Sequence, residues 1–170
     1  RLGGFVVLER DFGVDIDAYL AGHDDAPVAT LAELVARGDA HPAVQPLLEG
    51  SLAAAQAEDQ SVYFEELAKR ERLRTAILDL MAREQLDALA YPAIRIRPAP
   101  IGEAQPEDGV CQLSANSGLP AMVFPIGFTE DGLPASVELL GRPWSDAELL
   151  GLAYAYEQAT GHRRPPPLER

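Results

Sequence analysis

Lysine and cysteine are almost absent from this sequence. Of its 14 basic residues only Lys69 is a lysine, and Cys111 is the single cysteine. One cysteine can form no internal disulfide and offers no second thiol for a metal cluster, which suits a reducing compartment. We therefore expect a cytoplasmic protein with no cofactor and no metal.

Long apolar runs and basic clusters are missing as well. No run approaches the length of a membrane span, and no charged segment followed by an apolar one marks a signal peptide. The net charge of -13 disfavours nucleic acid, whose phosphates require clustered cations. With 47% hydrophobic residues in 170, the chain can still bury a core, and its start at Arg1 is compatible with a fragment of a longer protein.

The first half of the sequence, residues 1–85, is predicted to be mainly helical. After a short strand at 4–8, apolar spacing and caps predict helices at 15–21, at 31–37 and over 51–85, the last with a break near Asp59. Thr30 and Glu33 have capping-box spacing before the second of these helices. Two prolines in "HPAVQPLLEG" predict an irregular connector.

The second half, residues 86–170, is predicted to alternate strands and helices. "LDALAYPAI" indicates a buried strand closed by Pro92, and the Pro- and Gly-rich stretch after it indicates an irregular loop. "CQLSANSG" predicts one or two helical turns, and "LPAMVFPIGFTEDGLPASVELLG" predicts a hairpin with a bulge at Pro125. Ser145 as N-cap and Gly161 as C-terminal stop frame a last helix.

A search for catalytic groups finds no complete set. No G-x-S-x-G elbow and no glycine-rich phosphate loop occurs. Ser51, Ser61 and Ser145 look like helix caps, and turn or strand roles are favoured for the other serines, Ser114, Ser117 and Ser136. His23 and His162 lie in polar turns and His41 precedes Pro42, so all three are expected to be solvated. Lys69, flanked by carboxylates and arginines, is a poor candidate for the desolvated lysine that a general base requires.

The second half, from Leu86 to Pro166, resembles the C-terminal region of the amidase-signature family of serine hydrolases. The resemblance rests on "LDALAYPAI", on "CQLSANSGLPAMVFPIGFTEDGLPASVELLGRPW" and on "SDAELLGLAYAYEQATGHRRPP". Ala135 and Ser136 stand where the family often has Val-Gly, and Glu138 where it commonly has Gln. The implied fold class is α/β, the C-terminal part of the amidase-signature fold, with strands of a mixed sheet packed by helices; residues 1–85 would be the middle segment of the same domain.

The resemblance also implies an activity. Family members hydrolyse carboxylic amide C–N bonds with a serine, a second serine after a cis peptide and a lysine, which lie in an N-terminal half that nothing here matches. The chain would complete the sheet and part of the acyl pocket, be inactive alone, and depend on an upstream segment that carries the triad. Its ligand would be a small-molecule amide.

By position in the family, five residues resemble walls of the acyl pocket: Pro92, Ile94, Cys111, Gln112 and Leu113. Gln112 would orient the substrate, although an amide bonded to backbone at a helix start is an equal alternative. A free-standing, non-catalytic remnant that acts as a binding module is the main rival hypothesis. A thiol enzyme built on Cys111 is a third.

Overall fold

The structure, a computed structural model, describes residues 5–103 and 112–165. Its residues group into two compact units, Arg1–Arg70 and Glu71–Arg170. The first unit contains three helices and the start of a fourth: α1 (Phe5–Ala21), α2 (Leu31–Arg37), α3 (Gln45–Gln56) and α4 (Ser61–Arg83). The division between the units falls within α4.

Helix α2 has the predicted bounds and the predicted cap. The Thr30 hydroxyl accepts the Glu33 backbone N–H at 3.2 Å, and the Glu33 carboxylate accepts the Ala29 N–H at 2.7 Å. At the other end Gly38 adopts a left-handed φ of 65° and closes the helix on Val35. The capping-box prediction is confirmed. The one difference is that the Glu33 carboxylate accepts the N–H of Ala29, the residue before the N-cap, and not that of Thr30.

Over residues 5–8 helix α1 replaces the strand predicted at 4–8, so that prediction was wrong there; Gly4 lies outside the described residues. Four apolar residues are too few to distinguish a strand from a helix, and here packing decides. Gly13 lies so close to α3 that a Cβ there would stand 2.5 Å from the Ser51 carbonyl oxygen. Asp17 lies inside α1, and its carboxylate accepts the Leu31 N–H, at the start of α2, at 2.6 Å.

Helix α3 begins within the stretch predicted to be an irregular connector. Pro46 occupies its first turn, where a missing N–H costs no helical hydrogen bond. Ser51 is buried inside α3 and is not a cap. The predicted break near Asp59 is confirmed, since α3 ends at Gln56 and Asp59 accepts the Ser61 N–H at 2.8 Å. This hydrogen bond lowers the pKa of the Asp59 carboxyl.

The second unit holds a three-stranded antiparallel sheet. Its further elements are β1 (Ala88–Pro92), α5 (Gln112–Ser117), β2 (Ala121–Phe128), β3 (Pro134–Gly141) and α6 (Asp146–Thr160). The strand order is β1-β3-β2, so β3 pairs with both neighbours. The register shifts between Pro125 and Gly127, which confirms the predicted hairpin and its bulge.

Helices cover both faces of this sheet. On one face Leu140 packs with Ile77 and Met81 of α4 and with Leu119. Because side chains alternate along a strand, Phe124 points to the other face, where its ring lies 5.0 Å from that of Tyr156 in α6. The predicted α/β class, with sheet strands packed by helices, is confirmed.

Candidate functional site

An open, mostly apolar groove of about 680 Å³ lies where β1 and the hairpin end. That volume is typical of small-molecule sites. Its lining comes from the loop after β1 and from the two hairpin strands near their turn: Pro92, Ala93, Ile94, Arg95, Ile96, Arg97, Pro98, Ile126, Thr129, Leu133, Pro134, Ala135 and Ser136. We call it the apolar groove.

The chain reaches this groove because Pro92 ends β1. Beyond the strand, the Ala93 N–H still donates to the Ser136 carbonyl at 3.2 Å, and Ala93 is buried. Ile94 is the first residue to leave the sheet, and about two thirds of its side-chain surface is exposed at the groove. Because β1 ends at Pro92, the loop that follows leaves the sheet and forms one wall of the groove.

The hairpin turn forms the opposite wall and is held by its own side chains. The Thr129 N–H donates to the Leu133 carbonyl at 2.8 Å, and the Leu133 N–H donates to the Thr129 hydroxyl at 3.0 Å. Gly132 supplies the left-handed φ of 85° that closes the turn. Thr129 also donates its hydroxyl proton to Asp131 at 2.6 Å, and this bond lowers the pKa of the Asp131 carboxyl.

An ion pair beside the groove joins the loop after β1 to the hairpin turn. Arg97 Nη1 lies 2.6 Å from Asp131 Oδ2, and it lowers the pKa of Asp131 further. Both side chains are exposed, so the pair links the loop to the turn but adds little stability.

The groove can bind, but its described lining contains no base. No histidine, lysine, cysteine or carboxylate lines it. Its polar lining consists of two arginines and two hydroxyl residues, and the Thr129 hydroxyl already donates to Asp131. What it offers a ligand is apolar contact with a cationic rim.

The structure describes four of the five predicted site residues, and these four lie in two places, the apolar groove and α5. Pro92 and Ile94 line the apolar groove. Leu113 packs against the core cluster under the sheet, and the Gln112 side-chain oxygen accepts the Asn116 amide N–H at 2.8 Å. Cys111 lies outside the described residues. The substrate-binding role of all five stays a prediction.

A buried polar pair on β1 and β3 was not predicted as such. Tyr91 and Glu138 face each other across the antiparallel register, and the Tyr91 hydroxyl donates to the Glu138 carboxylate at 2.6 Å. Glu138 is only 4% exposed. The signal in the sequence was a glutamate within an alternating strand, at a position where glutamine is common in the family.

Lys69 has the environment of a charged surface lysine. Its ammonium lies 2.6 Å from a Glu66 oxygen and 3.3 Å from a Glu65 oxygen. The hydrogen bond to Glu66, followed by that to Glu65, raises the pKa of Lys69, so the group is protonated at neutral pH. The prediction that Lys69 is a poor base agrees with this geometry.

Two serine hydroxyls close to the sheet hold backbone turns. Ser145 Oγ donates to the Arg142 carbonyl at 2.8 Å, so Ser145 stands at the N-cap position of α6 without capping it through its side chain. Ser117 Oγ donates to the Ser114 carbonyl at 3.4 Å and accepts the Leu119 N–H. The turn role predicted for Ser117 is confirmed.

The described part of the chain contains neither a candidate metal cluster nor a helix that could span a membrane. Within residues 5–103 and 112–165, no three His, Cys, Asp or Glu side chains come together in a way that could hold a metal ion. No helix in these ranges combines the length and the apolar character needed to cross a bilayer.

Comparison with known proteins decides the family. The family model described as Amidase matches residues 13–150, most of the chain. The chain belongs to the Amidase family. Both units therefore contribute to the match, and the amidase resemblance of the sequence is confirmed.

Amidase relatives share stretches of this chain at moderate identity. A putative amidase of Synechocystis sp. is 39% identical over 94 residues, which are 48% of this chain and 19% of that protein. A glutamyl-tRNA(Gln) amidotransferase subunit of Thermodesulfovibrio yellowstonii is 33% identical over 116 residues, which are 62% of this chain and 24% of that protein.

Solved amidase structures match nearly the whole chain. The peptide amidase of Stenotrophomonas maltophilia superposes on 98% of it with a TM-score of 0.80 and 32% identity. An amidase family protein of Bacillus anthracis, at 24% identity and a TM-score of 0.75, shows the same fold. This chain spans 35% and 30% of those two proteins, and a quarter or less of the two relatives above.

Proposed function

We propose that this chain is the C-terminal part of an amide hydrolase whose nucleophile, relay serine and lysine base lie in an upstream segment of the parent polypeptide. Residues 1–85 would be the middle of the amidase domain, and residues 86–170 its closing strands and helix. The observation that carries the proposal is the superposition of 98% of the chain on about a third of a peptide amidase.

The chemistry of the described residues supports a parent protein in which this chain supplies scaffold and pocket and the upstream segment supplies the catalytic groups. The one lysine of the chain is protonated and paired with two carboxylates, and the apolar groove has no base in its described lining. Amide hydrolysis by a serine needs both a base and donors for the oxyanion. We therefore infer that the chain alone does not hydrolyse amides and that its contribution is scaffold and pocket.

The apolar groove is the part of the chain that we assign to substrate. Pro92 and Ile94 would contact the acyl side of a small-molecule amide from the groove. The assignment of Cys111 and Leu113 to substrate rests on the family resemblance alone, since Leu113 packs against the core cluster. The bond that Gln112 accepts from Asn116 fixes the rotation of its amide, so that its NH₂ group points away from Asn116. We propose that this NH₂ group orients the substrate carbonyl. A cytoplasmic site of action belongs to the same proposal.

The test is hydrolysis by the parent polypeptide that contains this chain. Purified parent is assayed for ammonia release from a panel of primary carboxamides, including a peptide amide, because a peptide amidase is among the similar proteins. We expect turnover of at least one class. Absence of turnover across the panel, with the parent folded, would argue against an amide hydrolase.

The variant Gln112→Ala of the parent tests whether Gln112 orients the substrate. Loss of one neutral hydrogen bond to substrate should raise KM by about 3–10-fold, with kcat and the melting temperature little changed. Gln56→Ala, at the exposed end of α3, is the matched control and should leave KM as it is. An unchanged KM for all substrates in the Gln112 variant would remove this residue from the pocket.

A further inference from the structure

The only tryptophan of the chain stands almost entirely in solvent. Trp144 lies in the turn between β3 and α6 and is 95% exposed. The residues on both sides of this turn, Gly141 and Ser145, are buried. A fully exposed indole therefore projects from a segment whose ends belong to the packed interior of the second unit.

Trp144 also has an unfavourable backbone conformation. The Ser145 N–H donates to the Arg142 carbonyl at 3.1 Å, which places Pro143 and Trp144 at the two central positions of a β-turn. The φ of Trp144 is 65°. Proline followed by a residue of positive φ is the type II pattern, and glycine or asparagine normally fills the second of these positions. A bulky side chain there is an outlier that calls for a compensating interaction.

The turn is held too firmly for Trp144 to relax. Arg142 Nη2 donates to the Met81 and Leu86 carbonyls at 3.1 and 3.0 Å, which ties the turn to the end of α4. Ser145 Oγ donates to the Arg142 carbonyl. A Cβ at Gly141 would collide with Ser145 Oγ. The backbone position of Trp144 and the direction in which its side chain leaves the turn are thus fixed by residues of the packed interior.

We propose that Trp144 is an anchor for a segment of the parent polypeptide outside this chain, which covers the indole with an apolar pocket. Within the described residues, the ring is too exposed for its packing to offset the free-energy cost of the positive φ. Most of the peptide amidase that superposes here has no counterpart in this chain, so a covering segment is available in a protein of that length. Tryptophan is enriched among the residues that dominate interface energetics.

This inference rests on the proposed function only for the existence of the outside segment. It concerns the end of the sheet where Gly141 pairs with Ala88, whereas the apolar groove lies where Pro92 pairs with Val137. The anchor therefore serves assembly of the domain and has no part in substrate binding. Folding and activity can be measured separately.

Melting temperatures of Trp144 variants of the parent distinguish a covered indole ring from an exposed one. Glycine relieves the positive φ, so Trp144→Gly should raise the melting temperature if the ring is solvated. If the ring is covered, Trp144→Gly and Trp144→Ala should both lower it, by at least about 2 °C, and Trp144→Phe by less. Stabilisation by glycine overturns the proposal.

Hydroxyl-radical footprinting of the wild-type parent is the direct measurement. Oxidation of Trp144, read by mass spectrometry, should be suppressed relative to the urea-unfolded parent and independent of protein concentration. Oxidation as fast as in the unfolded state overturns the proposal, and so does protection that appears only as the parent self-associates, because a second copy would then be the cover. A protected Trp144 in a parent that hydrolyses no amide would refute the proposed function and leave the anchor standing.

Discussion

At the scale of single residues, the pairing of Tyr91 with Glu138 carries the sharpest consequence. The carboxylate is almost fully buried on the central strand, and a phenol donates to it at 2.6 Å. A buried charged acceptor that loses a donor bears the cost of its own desolvation. The pair is therefore more important for stability than the exposed ion pair between Arg97 and Asp131, which water and salt screen.

We predict that Tyr91→Phe lowers the free energy of unfolding of the parent by about 1–3 kcal/mol, measured by urea denaturation. The same change should cost less in a Glu138→Gln background, because hydrogen bonds to neutral acceptors are weaker than those to charged ones. Equal costs in the two backgrounds would show that the charge of Glu138 plays no part in the pair.

Local sequence indicates which neighbouring residues share the groove, but it could not predict the pairs between distant residues; the substrate-binding role of the predicted residues stays a prediction. Pro92 and Ile94 fall together in one short stretch of sequence, and both line the groove. The contacts of Arg97 with Asp131 and of Tyr91 with Glu138 join residues far apart in the chain. Spacing along one element carries no information about such partners, since they depend on strand register.

At the scale of secondary-structure elements, the contact between α1 and α3 depends on a missing side chain. A Cβ at Gly13 would lie 2.5 Å from the Ser51 carbonyl oxygen and 2.7 Å from the Ala55 Cβ. Both neighbours belong to a packed helix, so neither can move without shifting α3.

We predict that Gly13→Ala destabilises the parent by about 1–3 kcal/mol, because overpacking outweighs the helix propensity of alanine. Gly50→Ala is the matched control within α3. The nearest atom to its Cβ would be 3.9 Å away, so alanine should stabilise by about 0.5–1 kcal/mol. Thermal unfolding of the two variants tests both predictions. If Gly13→Ala also stabilised the protein, α1 and α3 would be able to move apart at little cost in free energy.

Element types with local signals were predictable, and those decided by packing were not. The caps of α2, the break at Asp59, the strand closed by Pro92 and the hairpin bulge all follow from backbone chemistry within a few residues. The start of α1 has no such signal, because Phe5 to Leu8 fit either a strand or a helix. Pro46 is ambiguous in the same way, since proline is common both in irregular chain and in the first turn of a helix.

At the scale of the whole molecule, the chain exposes large apolar side chains in both units. Examples in the first unit are Leu8, Leu47 and Phe64, and in the second Ile94, Val123 and Trp144. Strand β2, at one edge of the described sheet, carries no charged residue that would prevent pairing with another strand. An uncharged, apolar edge strand can pair with a strand of another molecule, which favours self-association.

We predict that the isolated chain self-associates and that co-expression with the rest of the parent makes it monodisperse. Sedimentation velocity at several concentrations measures both states. A monodisperse isolated chain that unfolds cooperatively would favour the rival hypothesis of a free-standing binding module.

The strand order β1-β3-β2 has a consequence for synthesis on the ribosome. Glu138, the partner of Tyr91, comes 47 residues later in the chain. At about 5–20 residues per second, β1 waits roughly 2–10 seconds for the strand that pairs with it. During that interval the edge of β1 that will pair with β3 lacks its partner strand. The rate of translation between β1 and β3 is therefore a variable on which the yield of folded protein depends.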